Sequence, residues 1–349
     1  MERHTLVCGA LGVIGTAVVE HLATLDGHRV TGLARRDAPG SVADRHLRLD
    51  LLDAEAVAAA RGEVADVTHL VFAAYAESGD VVADLERNVG LLAGALDLLA
   101  DAPLAHVTLY QGGKAYGAHL GVYRTPARET DPRLPIAHFY YAQEDLLRER
   151  SAAGDFAFTL LRPDILLGVS RSSPMNLAQS LAVYALTLRE LGLPLRFPGT
   201  LGAATTLVNA TDGGLLAEAT AWAGGSPEAA GGTFNVLDGD LFRWPQLFEH
   251  VAAQFGMELG PPQPMSLAAE MPALAPVWER LADREGLAVR DVGELVQWDF
   301  ADFLFAVEHD GVMDSLALRE AGFGGFRRTE EALAAVFDRL RADRVLPAA

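Results

Sequence analysis

A glycine-rich turn near the start of the chain limits the possible folds more than any other feature. Thr5–Cys8 is a short apolar run that reads as a strand, and Val13–Ala23 has the periodicity of a helix. Between them stands Gly9-Ala10-Leu11-Gly12-Val13-Ile14-Gly15, a GxxGxxG. Glycines also mark ordinary turns. In a strand–turn–helix setting, however, they let the backbone turn tightly and approach a pyrophosphate, whose charge then faces a helix N-terminus.

The same alternation runs on through the first half of the chain. Strand-like runs are expected at Arg29–Ala34, His46–Asp50, His69–Tyr75, His106–Gln111 and Ala157–Leu161, the last stopping at Arg162-Pro163. Helical periods are expected at Val81–Ala100 and Phe139–Arg150, with a loop rich in Gly, Pro and charge at Gly112–Arg133. This is the pattern of an α/β chain with a doubly wound parallel Rossmann sheet. After Gly168 the alternation weakens. Met175–Leu191 and Gln246–Phe255 read as helices, Phe234–Leu237 as a strand, Gly224–Gly232 as a surface loop, and Gly260–Pro264 as a link to a mostly helical tail. The expected division is a dinucleotide-binding domain over 1–168, with elements returning to it near 204–240, and a smaller, mainly helical substrate lobe over 169–349.

With 349 residues, 50% of them hydrophobic, the chain can bury a sizeable core. Its formal net charge of −19 argues against nucleic acid and anionic membrane surfaces as partners. No apolar run reaches the length of a spanning helix, and Met1–Val7 is too short for a signal peptide. A single cysteine, Cys8, excludes an intrachain disulfide framework and fits a reducing, cytoplasmic setting. The sequon at Asn209-Ala210-Thr211 is read as chance. The ten histidines show no metal-ligand spacing, so no metal is expected. The expected partner is a small molecule, and a homodimer is compatible with such a chain.

Cofactor choice turns on the end of the second strand. A binder of NAD usually carries an acidic residue there for the ribose hydroxyls. This chain has Leu33-Ala34-Arg35-Arg36. Two guanidiniums suit the 2′-phosphate of NADP(H), although a solvated arginine pair would look the same. Asp50 is placed to meet the adenine, or to cap the helix after it. Gly9, Gly12, Val13, Ile14 and Gly15 form the phosphate turn. Leu51, Ala74 and Pro163 complete the expected cofactor contacts.

Lys and Arg together number 28, yet only Lys114 is a lysine. A chain that otherwise uses arginine for its cations keeps an ammonium at one place. Short-chain reductases of the ordinary kind carry Tyr-x-x-x-Lys on one helix. Here Glu144 and Asp145 stand four residues beyond Tyr140 and Tyr141. Either that helix is inactive or its lysine comes from another loop.

The second arrangement is that of a known group. Gln111-Gly112-Gly113-Lys114-Ala115-Tyr116-Gly117 and Phe139-Tyr140-Tyr141-Ala142-Gln143-Glu144-Asp145 resemble the glycine-lysine loop and the FYYxxED helix of the progesterone 5β-reductase / iridoid synthase enone reductases, in the extended short-chain dehydrogenase/reductase superfamily. The similarity continues through Arg162-Pro163, Met175-Asn176-Leu177, Phe234-Asn235-Val236 and Asp238–Trp244 to Gly322–Arg327, and so covers nearly the whole chain. It implies that Lys114 and Tyr141 are the working pair, with Tyr140 the fallback. It further implies 1,4-hydride addition from NADPH to an enone or enal, the developing oxyanion being met by the phenol beside the lysine. Tyr75, Asn176 and Ser315 are candidates for the pocket wall, with a core aromatic, a helix cap and a helix hydroxyl as their respective alternative roles. The chain departs from the group at Tyr75, where Trp is common, at Leu167, where Phe is common, and in a shortened loop around Ala115 and Ala118–Tyr123. Pocket shape is therefore the least transferable property. The same donors would serve a 1,2-carbonyl reductase. A non-catalytic NADP-binding sensor would keep the fold but has no need of the lone lysine.

Overall fold

The computed structural model describes residues 3–154, 156–170 and 173–348. Its strands are β1 (Arg3–Cys8), β2 (His28–Ala34), β3 (Arg45–Arg48), β4 (His69–Phe72), β5 (His106–Tyr110), β6 (Ala157–Pro163), β7 (Ile165–Leu167), β8 (Ala210–Asp212) and β9 (Thr233–Val236). Seven form one parallel sheet in the order β3-β2-β1-β4-β5-β6-β9, and β7 pairs with β8 apart from it. The inner strands are apolar on both faces because both faces are covered: in β1 every residue from His4 to Cys8 is buried.

The helices of this frame are α1 (Val13–Leu22), α2 (Ala54–Ala60), α3 (Val81–Leu98), α4 (Phe139–Gly154), α5 (Leu177–Glu190), α6 (Gly213–Ala223) and α7 (Trp244–Gln254). Leu6, Leu70, Leu92, Leu96, Leu109 and Leu147 belong to a core on the sheet face covered by α2, α3 and α4. On the opposite face α1 and α6 pack together over Val7, Val71, Leu161 and Val236. A third core lies in the lobe around α5, whose residues 177–188 are all buried. Full burial of each large apolar side chain there contributes roughly 1.5–3 kcal/mol.

Polar residues set the helix starts. Asp53, Asp80, Asn176 and Asp212 accept hydrogen bonds from first-turn N–H groups of α2, α3, α5 and α6. Helix α1 differs from these four. It begins at Gly12 with no side-chain cap and no acid in its first turn, which leaves its N–H groups and dipole open to an anion. Order reverses at β1, with β2 on one side and β4 on the other, so α1 starts where such sheets bind ligands.

Several boundaries differ from the sequence reading. Strand β4 ends at Phe72, three residues short of the expected Tyr75, because Ala73–Tyr75 leave the sheet and run along the groove described below. Helix α5 starts at Leu177 because Asn176 caps it. Helix α2 was expected only as the helix after Asp50 and β8 and α6 only as elements returning near 204–240, none with bounds, and β7 was not anticipated. The α6 sequence GGLLAEATAWA opens on two glycines and is apolar nearly all round, so it carries little helical periodicity; β7 and β8 have only three residues each.

Candidate active site

A groove of about 720 Å³ runs across the C-terminal ends of the strands, lined by Gly9, Gly12, Val13, Ile14, Arg35, Arg36, Asp50, Leu51 and Ala74. Gly9 has φ +80°, and a Cβ there would stand 2.6 Å from the Ala73 carbonyl oxygen. The turn after β1 is thus pressed against the end of β4. Two expected cofactor contacts lie elsewhere. Gly15 is on the underside of the turn, where a Cβ would meet the Gly9 carbonyl at 2.1 Å, so it permits helix packing and does not line the groove. Pro163 is buried in β6 behind Gly112, and its carbonyl is 3.3 Å from where a Gly112 Cβ would stand. Asp50 accepts a hydrogen bond from the Leu52 amide at 3.0 Å; the cap of α2 is Asp53.

The residues present fit a dinucleotide. The uncapped start of α1 and the bare glycines offer backbone donors at one end of the groove. Exposed Arg35 and Arg36 stand at the end of β2 on the same groove, with no acidic residue in the place that would reject a 2′-phosphate.

A second cavity, about 530 Å³, shares Ile14, Ala73, Ala74, Tyr75, Met175 and Phe300 with the groove. Its further wall carries Glu77, Lys114, His119, Phe139 and Tyr140. Lys114 sits on a short 3₁₀ turn after β5, with its Nζ 3.7 Å from a Glu77 carboxylate oxygen. Tyr140 is in the first turn of α4. Its amide donates to His138 Nδ1 at 3.1 Å, and its carbonyl accepts from Gln111. The phenol lies close to Gly112, where a Cβ would stand 3.5 Å from the Tyr140 hydroxyl, an ordinary van der Waals contact. Burial pushes this phenol well above its ordinary range, so it is protonated at neutral pH.

Tyr141 points to a different task. It does not line the cavity, its hydroxyl donates to the Ala115 carbonyl at 2.8 Å, and it accepts from the Leu134 amide at 3.2 Å. It ties α4 to the lysine turn. The adjacent tyrosine, Tyr140, is the one that shares the cavity with Lys114. One position along a helix turns the side chain by about 100°, and here that step carries the Tyr141 ring away from the cavity that Phe139 and Tyr140 line.

Behind the pair lies a buried polar network. Arg162 donates to Gln111 Oε1 at 2.7 Å and to the Tyr116 hydroxyl at 2.9 Å, and Tyr116 donates to Asn235 Oδ1 at 2.6 Å. Burial alone would raise the Glu144 carboxyl, but Arg148 and Arg133 hold it below its ordinary range. Burial, with His119 and Lys114 nearby, pushes the His138 imidazole down to about 4. The Arg162, Asn235 and Glu144 positions of the resemblance thus fix the lysine turn from behind.

Of the three pocket candidates, Tyr75 lies at the junction of groove and cavity. Asn176 is buried under α5, donating to the Gly168 carbonyl and capping the helix, and Ser315 precedes the short helix Leu316–Glu320 without lining either space. Missed altogether were Glu77, His119 and the helix Trp298–Phe305, which presents Asp299, Phe300 and Phe303 to the cavity. Phe300 and Phe303, spaced three apart on that helix, were the available signal. Among the described residues no group of three or more His, Cys, Asp or Glu could hold a metal ion, and no helix is long and apolar enough to cross a membrane.

A glycine turn at the switch point of a parallel sheet, opening on a cavity with a lysine and a buried phenol, fits a Rossmann-fold oxidoreductase. Residues 48–347 match the PRISE-like Rossmann-fold domain, and the chain belongs to that family. It is 32% identical to an (S)-8-oxocitronellyl enol synthase of Camptotheca acuminata, over 98% of this chain and 93% of that one. It is equally, 32%, identical to the 3-oxo-Delta(4,5)-steroid 5-beta-reductase of Arabidopsis thaliana, over 99% and 94%. Among solved structures it resembles the UDP-glucose 4-epimerase of Thermus thermophilus (TM-score 0.67, 23% identity, 97% and 99% covered) and that of Thermotoga maritima (0.68, 17%, 96% and 99%). Those likenesses bear on the fold.

Proposed function

We propose that this enzyme reduces the activated C=C bond of an enone or enal by 1,4-addition, using NADPH. The observation that carries the reading is that Lys114 and Tyr140 stand on one wall of a largely apolar cavity continuous with the dinucleotide groove. NADPH, when bound, supplies the hydride. The chain's own residues do the rest. Arg35 and Arg36 grip the 2′-phosphate, and the open start of α1 receives the pyrophosphate. Phe139, Met175, Phe300 and Phe303 exclude water around the substrate. The Tyr140 phenol, held protonated by burial, donates to the substrate oxygen as negative charge grows on it. Lys114 adds positive charge beside that oxygen. Tyr141 is a positioning residue that holds the lysine turn through the Ala115 carbonyl. The α-carbon takes its proton from solvent, so the site needs no strong general acid.

The names of the two relatives, a steroid reductase and an enol synthase, support a substrate with an unsaturated carbonyl. The test is a screen of enones, enals and ketones for substrate-dependent NADPH oxidation, followed by product analysis. Saturated ketones or aldehydes are the expected products. Allylic alcohols would replace this reading with carbonyl reduction, and absence of turnover across the screen would sink it.

A further inference from the structure

Most polar side chains around the cavity already have partners. Lys114 faces Glu77, Gln111 holds Arg162 and the Tyr140 carbonyl, and Gln143 donates to the Asn88 carbonyl at 2.8 Å. His119 differs. It lines the cavity, yet its Nδ1 is sealed from solvent without any hydrogen-bond partner, while Nε2 is not sealed in this way. Burial and the Lys114 charge hold this imidazole below its ordinary pKa, so it is neutral at pH 7 and carries one proton. On Nδ1 that proton would be a buried donor without an acceptor. On Nε2 it leaves only a lone pair unmet, the less costly orphan. His119 therefore offers an N–H donor from Nε2.

His138 contacts both rings, standing 4.8 Å from Tyr140 and 5.3 Å from His119, centroid to centroid, and among the described residues no ring contact joins His119 to the phenol directly. The next residues out, Leu120 and Val122, are exposed. A cavity of about 530 Å³ is in the range that takes drug-sized ligands, so a substrate's body extends well past its unsaturated carbonyl. Glu77 and Asp299 outnumber Lys114 on the wall, which disfavours a carboxylate in that space.

We infer that His119 is a second oxygen-recognition point. Its Nε2–H binds a hydroxyl, ether or carbonyl oxygen on the part of the substrate remote from the enone, so the preferred substrates are uncharged and carry such an oxygen. The inference rests on the proposed reaction for its substrate class, but its binding test does not need turnover.

The probes are saturated ketones, 4-(ω-hydroxyalkyl)cyclohexanones with short chains, each paired with its deoxy 4-alkyl analogue. Affinity for the NADP⁺-loaded protein is measured by calorimetry, beside kcat/KM for the corresponding cyclohexenones. Wild type should bind the best-placed hydroxyl ketone about tenfold tighter than its deoxy partner, the discrimination expected of one good hydrogen bond. His119→Phe should equalise the pair with the deoxy affinity retained, and His119→Gln, which keeps an N–H donor, should restore much of the preference. No preference in wild type across the series overturns the inference. So does a preference that survives His119→Phe, or an equal loss for both members, which would make the ring a structural part or a donor to the reacting oxygen. Preference in binding without turnover of any enone would sink the proposed reaction and leave the recognition role standing.

Discussion

The dinucleotide groove is laid down by strand ends, while the substrate cavity is assembled from turns and helices far apart in the chain. In the groove, residues 9–14, 33–36, 49–52 and 73–76 arrive in order from β1, β2, β3 and β4, and the register of the sheet sets their spacing. In the cavity, Lys114 sits on a turn, Tyr140 on α4, Met175 ahead of α5, and Phe300 and Phe303 on the lobe helix Trp298–Phe305. Binding is thus delegated to backbone and strand order, chemistry to a few side chains on separate lengths of sequence. If this division is real, changes in the groove should alter cofactor affinity alone, and changes in the cavity should alter turnover alone.

The sharpest test uses the adjacent tyrosines. Tyr140→Phe removes the donor to the developing oxyanion and should lower kcat/KM by about 10²–10³, with NADPH affinity unchanged. Tyr141→Phe should act on the fold instead. It leaves the buried Ala115 carbonyl and the Leu134 amide without that hydroxyl, a loss of roughly 1–3 kcal/mol visible in the thermal melt. Steady-state kinetics and melts of both variants check this. An inactive Tyr141→Phe beside an active Tyr140→Phe would return the chemistry to Tyr141.

That pair also shows where the sequence stops being informative. The glycine turn, the strand-two arginines and the parallel sheet could be read directly, since each depends on local pattern and on residues close in the chain. The lone lysine and the tyrosine-bearing helix were legible as well. Which tyrosine faces the cavity was not, because that depends on how α4 is rotated against the lysine turn, a tertiary property set by the Ala115 contact. For Asn176 the sequence left a pocket role and a helix cap open, and the fold takes the cap: its amide is consumed by Gly168 and the start of α5. The spacing of Phe300 and Phe303 was visible but their place in the wall was not, since nothing local says which side of a helix nearly two hundred residues from Lys114 will return to it.

Lys114→Arg probes the cavity next. Guanidinium is a wider planar fork than ammonium and would crowd the phenol and Glu77. The expected outcome is an unchanged melting temperature with kcat/KM reduced at least about tenfold, roughly 1.4 kcal/mol of transition-state stabilisation. Full activity would make the single lysine an accident of composition. On the groove side, replacing Arg35 and Arg36 by Ala should weaken NADPH binding by about tenfold or more while barely changing NADH, because a charge-assisted phosphate contact is worth on the order of 1.5–3 kcal/mol. Fluorescence titration of both cofactors reads this directly. Equal wild-type affinities for the two would break the assignment.

The smallest expected effect concerns Asp164, which stands by the lysine turn and acts on the phenol. Its carboxylate oxygen is 3.3 Å from where a Gly113 Cβ would be, one residue on from the glycine that lies against the Tyr140 hydroxyl. Tyr123 also faces it, and no cation pairs with it among the described residues. Burial pushes this carboxyl up to about 7, against an ordinary value near 3.8. The folded protein therefore binds a proton that the unfolded chain has released between those two values. Its contribution to stability is complete below about 3.8 and is lost as pH rises through 7. Above 7 the carboxylate also opposes negative charge gathering at the neighbouring phenol. Wild-type kcat/KM should then fall about two- to threefold between pH 6 and 8.5, equivalent to about 0.5 kcal/mol, because Lys114 offsets most of the repulsion. Asp164→Asn keeps the shape and removes the charge, so it should flatten that limb and raise the melting temperature more at pH 8.5 than at pH 6. An unaltered pH profile in the variant would show that the carboxyl is too remote from the reacting oxygen to matter. It would leave the electrostatics of the reaction to Tyr140, Lys114 and the carboxylates on the cavity wall, Glu77 and Asp299.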